Sequence, residues 1–337
     1  MRVANPFDNE ALALQVLRQK KHAWDLEKSI PWSTPIRTDQ YLLPLDHDSI
    51  AFPGASAEQR LALSQLMGLI INSTIAEMEN VINVMRTTAW ENILKKYPVN
   101  PELWALGDLF FIEENKHALA FQRYNDKFCE AMGIQKDDLA RLIPKAYGSL
   151  FLKAISLNAK AGGHAFWWIV GSVEEVSMIL YRQIQLNHEG VEPLFYTVHR
   201  RHMEEEARHH NYAFLMLELI QQSSPSVRGI FHRATDLLLS QIFSTGWILS
   251  ELHKVFTVKD LRKKNPFFEV LASALPLLEK MSYLELAQRL FISAPYVSLM
   301  LNTRNHPLTI ATAKDRFSLR LPLPKPVAKS TFTGEVA

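Results

Sequence analysis

Two short motifs constrain this chain more than anything else in it: Glu114-x-x-His117 in "EENKH" and Glu206-x-x-His209 in "EEEARHH". On a helix, residues three apart share a face, so each motif aims one carboxylate and one imidazole at a common point. One such pair is commonly a solvated helix face. Two pairs this far apart in sequence can meet only if their helices pack side by side. A bundle that takes a Glu-x-x-His from two helices, and a further glutamate from each of two others, is the ligand set of a dimetal carboxylate centre.

The pattern along the chain supplies such helices. From Ala55 to about Lys96, apolar residues recur at three- and four-residue spacing. Asn100-Pro101-Glu102 is a helix start, with a capping side chain, a proline in the first turn and then an acid. It opens the helix that carries Glu114 and His117. A shorter helix begins at about Asp137, and long ones cover about 159–186, 193–222 and 225–255. No stretch alternates like a strand, and the glycines form no phosphate-binding loop, which weighs against a nucleotide-binding α/β fold. The expected fold is all-α: a ferritin-like four-helix bundle core with additional N- and C-terminal helices. Residues 1–54, a short helix and a proline-bearing extended stretch, read as an arm packing on the core. Residues 55–255 form the bundle. Residues 256–337 read as helices and an extended tail of the same globular unit.

Charge and cysteine usage exclude several classes. A formal net charge of +2 gives no basis for binding nucleic acid or an anionic membrane. The single cysteine, Cys129, excludes an internal disulfide and a multi-cysteine zinc site, and fits a reducing, cytoplasmic setting. The N-terminus lacks a signal-peptide core, and no run of about 18 apolar residues suggests a membrane span. Residues 284–302 look like a helix-turn-helix. However, Phe291 stands where the turn usually has glycine, and Ala294, Tyr296, Ser298 and Leu299 offer no cation to phosphate. They read as two amphipathic helices packing on the bundle.

Two mid-helix glutamates in apolar surroundings complete the set. Glu79 has Ile71, Ile75, Ile82 and Met85 around it, and Glu175 is flanked by Ile169, Val173, Val176, Met178 and Ile179. A lone carboxylate on such a stripe would cost several kcal/mol to bury, and four together would repel. Two divalent cations would cancel their charge. Neighbours compete on spacing alone: Glu113 with Glu114, and Glu174 with Glu175. Glu204, Glu205 and His210 fall on other faces and read as solvated, and His164 reads as a satisfied core or edge histidine.

Over roughly residues 45–255 the four segments resemble the p-aminobenzoate N-oxygenase (AurF-like) family of non-haem diiron oxygenases. Asn72 lies seven residues before Glu79, and the first Glu-x-x-His follows Glu79 by 35 residues, as in the family. "WWIVGSVEEV" resembles the family's apolar, glycine-containing segment, and that alignment selects Glu175. The family carries a third histidine four residues before the last ligand glutamate. His202-x-x-x-Glu206-x-x-His209 reproduces it, and offsets of four and seven keep all three on one face.

The resemblance implies metal ligands at Glu79, Glu114, His117, Glu175, His202, Glu206 and His209. It implies two iron ions, although the donor types suit manganese equally, with O₂ as co-substrate and an external electron donor. The implied reaction passes oxygen to an amine nitrogen, giving hydroxylamine, nitroso or nitro products in a biosynthetic pathway. Ile71 and Thr74 stand where the aminobenzoate enzyme has bulkier polar or basic side chains, so the expected substrate is an amine, aryl or alkyl, free or carrier-bound, with aminobenzoate not singled out. A homodimer is the assembly such bundles commonly adopt. The competing readings are hydroxylation or desaturation of an aliphatic carbon at the same site, and a metal-binding or regulatory protein that turns over no substrate.

Overall fold

A computed structural model describes residues 8–44, 52–96, 101–145, 147–223 and 252–282. Helix α1 spans Asn9–His22, α2 Ala57–Met85, α4 Pro101–Met132, α7 Ala165–Leu186 and α8 Pro193–Ser223. Shorter elements lie between and after them: a π-helical turn Arg86–Glu91, α3 Asn92–Leu94, α5 Lys136–Ala140, α6 Ser149–Lys160, a 3₁₀ helix Leu252–Asp260 and α9 Pro266–Leu278. Among the described residues the only strand-like pairing is an isolated bridge between Tyr41 and Val191. The fold is all-helical, as the sequence predicts. The helix expected over 159–186 is in fact two. Gly162 takes a left-handed φ of 74° in the turn that separates α6 from α7. The helix expected over 225–255 and the segment 284–302 lie outside the described residues.

Helix starts follow local chemistry. Ser56 and Gln59 form a reciprocal capping box at α2, with Gln59 N donating to Ser56 Oγ (3.1 Å) and Ser56 N to Gln59 Oε1 (2.9 Å). At α8, Glu192 accepts from Phe195 N (2.7 Å) and from the Tyr124 hydroxyl of α4 (3.0 Å), so one buried carboxylate caps a helix and joins it to its neighbour. α2 packs chiefly on α4, and α7 on α8. The stretch Ala57–Leu94 is long and apolar enough to cross a membrane, but its most apolar 18-residue part is 67% buried inside the protein, where it serves as a core helix.

The core falls into two apolar clusters. One gathers the arm (Trp24, Leu42), the first half of α2, the second half of α4, the start of α8, and α9. The other gathers the end of α2, the first half of α4, α6, the start of α7 and the second half of α8. Between them, at the middle of the four long helices, lies a belt of buried Glu, His and Asn side chains.

The arm is seated on α2 by polar bonds and a close approach. Ser64 Oγ accepts from Leu42 N (3.0 Å) and Leu43 N (2.8 Å), and Gln65 Nε2 donates to Thr38 O (2.7 Å) and Gln40 O (3.1 Å). One turn on, a Cβ at Gly68 would lie 2.5 Å from Leu42 Cβ. Gly68→Val is therefore expected to destabilise the protein by about 1–3 kcal/mol through overpacking, read as a lower midpoint in chemical denaturation. An unchanged midpoint would show that the arm yields at Leu42.

Candidate metal centre

The belt contains one continuous cluster of donors. α2 contributes Glu79, α4 Glu114 and His117, α7 Glu174, and α8 His202, Glu206 and His209, all of them buried. Their donor atoms form three overlapping groups, each with its atoms within 4.8 Å of one another. These are Glu79, His117, His202 and Glu206; Glu114, His117 and His209; and Glu174, Glu206 and His209. His202 Nε2 lies 2.8 Å from Glu79 Oε1 and 2.7 Å from Glu206 Oε1. His117 Nδ1 lies 3.2 Å from Glu206 Oε1, and His209 Nδ1 lies 2.8 Å from Glu114 Oε1.

Six of the seven residues expected from sequence meet here, and Glu175 does not. Its side chain is 20% exposed and points at His210, 3.7 Å away, while Glu174 faces the cluster. The inward face of α7 is Trp167, Val170, Glu174, Ser177, Tyr181 and Ile184, all buried and three or four residues apart, with Gly171 beside Val170. The apolar residues around Glu175 (Val173, Val176, Met178 and Ile179) are only partly buried. Hydrophobicity on both sides of α7 hid which side was the core.

Glu205 was expected in solvent and is instead fully buried. Its Oε2 lies 2.6 Å from His117 Nε2, the ring nitrogen facing away from the cluster. Lys116 Nζ donates to its Oε1 at 2.8 Å. Glu113 does the same for the other motif: its Oε2 lies 2.8 Å from His209 Nε2. Each outer glutamate immediately precedes a candidate ligand glutamate and holds the histidine of the opposite helix. The sequence carried the signal, since both motifs read Glu-Glu-x-(Lys/Arg)-His. Of the other polar residues singled out, Glu204 is half-buried and pairs with Arg200 and Arg201, and His164 is buried at the start of α7. Asn72 is buried and bonds His199 Nε2 (2.9 Å) and Asn125 Oδ1 (3.0 Å).

Electrostatics set these groups against one another. Burial, and then repulsion from Glu206 and Glu114, raises the Glu174 carboxyl well above the usual range. Burial pushes Glu79 up to about 7, offset in part by His202. Burial opposes charge on Glu206 as well, but His202 and then Glu174, His209 and His117 hold its pKa well below normal. His202 is pushed up to about 10, because Glu206 and Glu79 outweigh its burial. At Glu205, burial is overcome by His117 and Lys116, which lower it to about 2.

The inward atoms lack partners of their own. Both oxygens of Glu114, both of Glu206, Glu79 Oε2, His117 Nδ1 and His209 Nδ1 are buried and make no well-aligned hydrogen bond; their nearest polar neighbours are other members of the cluster, as close as 2.7 Å between His202 Nε2 and Glu206 Oε1 and 2.8 Å between His209 Nδ1 and Glu114 Oε1. Buried polar atoms are normally satisfied. Seven orphans converging on one spot, with carboxylate and imidazole donors, fit divalent cations. Four carboxylates balance two such charges, while the outer glutamates fix the imidazole rings as second partners of metal-bound histidines do.

A family model described as "P-aminobenzoate N-oxygenase AurF" matches residues 8–247, which takes in α1 and every helix that contributes to the cluster. No curated protein and no solved structure matches the chain.

Neighbouring glutamates give a direct check. Glu174→Gln is expected to leave roughly half the wild-type metal or less after anaerobic loading with Fe²⁺ and desalting. Glu175→Gln should retain the wild-type amount. Metal analysis of the two variants side by side decides, and the reverse order would restore Glu175 to the centre.

Proposed function

Because this chain belongs to the p-aminobenzoate N-oxygenase AurF family of diiron oxygenases, we propose that it uses two iron ions and O₂ to oxygenate the nitrogen of an amine. The observation that carries this reading is the set of converging, buried and unpartnered donor atoms at the middle of the bundle. Glu79, His117 and His202 would hold one iron, and Glu174 and His209 the other. Glu206, grouped with residues of both, and Glu114, grouped with both His117 and His209, would complete the donor set. Bound there, the irons would pass electrons to O₂, one oxygen atom of which would go to the amine nitrogen and the other to water, with the external donor replacing the electrons.

The residues around the irons hold and shield them. Phe110 meets the His209 ring edge-on (centroids 4.9 Å), Phe121 meets His202 (4.8 Å), and Trp24 stacks on His117 (5.7 Å). These rings lock the imidazole orientations and keep bulk water out, which strengthens every charge interaction inside. Glu113 and Glu205, each accepting from the outer nitrogen of a histidine, leave Nδ1 of His117 and of His209 free to bind metal.

An amine, free or carrier-bound, is the substrate class this reading takes, with electrons from an external donor and a cytoplasmic setting. The test is anaerobic loading with Fe²⁺, exposure to O₂, and mass-spectrometric screening of aryl and alkyl amines. A product heavier by one oxygen than its amine, with the label following ¹⁸O₂, is the expected result. Consumption of O₂ with every amine untouched, or oxygen appearing on carbon, would move the function to aliphatic hydroxylation.

A further inference from the structure

The bonds that hold the outer glutamates do not all come from the bundle. Gln19, in the last turn of α1, is buried, and its Nε2 donates to Glu113 Oε2 at 2.8 Å. That same oxygen accepts from His209 Nε2 at 2.8 Å. Among the described residues the one Lys or Arg near Glu113 is Arg208, 3.7 Å from its other oxygen and beyond hydrogen-bond reach.

The other outer glutamate is held differently. Trp24, just past α1, donates its backbone N–H to Glu205 Oε1 (3.1 Å), but Lys116 Nζ also lies 2.7 Å from Oε2 and 2.8 Å from Oε1. Lys116 is fixed in turn by Trp24 O (3.0 Å) and the Trp24 ring (4.2 Å). Without the arm, Glu205 would keep a full cation in contact, whereas Glu113 would keep no donor but His209 itself. His209 is also the one imidazole grouped with Glu174, while His117 is grouped with His202 and, together with Glu114, with His209 as well.

We propose that Gln19 is a positioning residue for His209, and through it for the metal position shared with Glu174. An amide from the N-terminal helix fixes the Glu113 carboxylate, and that carboxylate fixes the ring. The arm thereby makes the two metal positions unequal. This inference rests on the dimetal reading above. Outer-shell partners of metal-bound histidines are typically worth about 10–100-fold in metal affinity.

The experiment is anaerobic titration of the full chain with Fe²⁺, and with Co²⁺ as an absorbing probe, in wild type, Gln19→Leu and Gln19→Glu. Leu removes the donor at similar size, and Glu sets a second carboxylate against Glu113. Wild type should bind two metals in two steps. Both variants should weaken one step by about 10–100-fold, leave the other unchanged, and melt at the wild-type temperature when metal-free. Two unchanged steps would overturn the proposal. So would both steps weakening together with a lower metal-free melting temperature, or a failure of both variants to fold, since either outcome means that Gln19 only holds the arm in place. If wild type itself takes up no metal pair, the dimetal reading falls and this inference falls with it.

Discussion

Four carboxylates buried within a few ångströms of one another are the constraint on which the rest of the structure depends. Removing a single carboxylate from water costs several kcal/mol, and neighbours of like charge add to that. The protein does not dilute the four with small, scattered hydrogen-bonding groups. It concentrates them in one belt with three imidazoles and places an apolar cluster on either side. The clusters supply the stability that the belt withholds, and they fix the level at which the helices cross. A slip of one helix by a single residue would rotate its donor by about 100° away from the centre. Packing at both ends of the bundle therefore sets the geometry of the middle.

Around the belt, hydrogen bonds cross between α4 and α8. Glu113 of α4 holds His209 of α8, and Glu205 of α8 holds His117 of α4. The two histidines are thus clamped by reciprocal bonds, and the interface between the helices is also the outer shell of the site. The aromatic rings of Trp24, Phe110 and Phe121 each lie against one of the three imidazoles. Stability and preorganisation are supplied by the same contacts, which is why few of these residues could be altered for one purpose alone.

Much of this was legible in the sequence. Glu114 with His117, and Glu206 with His209, could be read from helical spacing, because a three-residue offset bears directly on a shared face; His202 came from the family resemblance, with which its offsets of four and seven agree. Glu79 was legible because the apolar residues near it define one stripe. Glu174 was not, since α7 is apolar on more than one side and both candidate glutamates sit in hydrophobic company. Glu205 was hidden for the opposite reason: within a run of charges its spacing suggested solvent, and only the fold brings His117 and Lys116 to it. The contribution of Gln19 depends on where α1 crosses α4, which no local pattern encodes.

The repeated Glu-Glu-x-(Lys/Arg)-His motif also shows where the two halves of the site diverge. Four residues before Glu206 stands His202, whose imidazole faces Glu79 and Glu206. Four residues before Glu114 stands Phe110, whose ring lies against His209 and offers no donor. Matched positions on paired helices thus present an imidazole on one side and a hydrocarbon wall on the other. A metal on the first side would be wrapped more fully by protein donors. One on the second side would have fewer protein donors and so more positions left to a small molecule. Chemistry on an external substrate needs such an open position, whereas a centre that only stores metal gains nothing from it. Four residues before each repeated motif's second glutamate, a phenyl thus stands against an imidazole, and the two halves of the site differ in how many side chains could reach a metal.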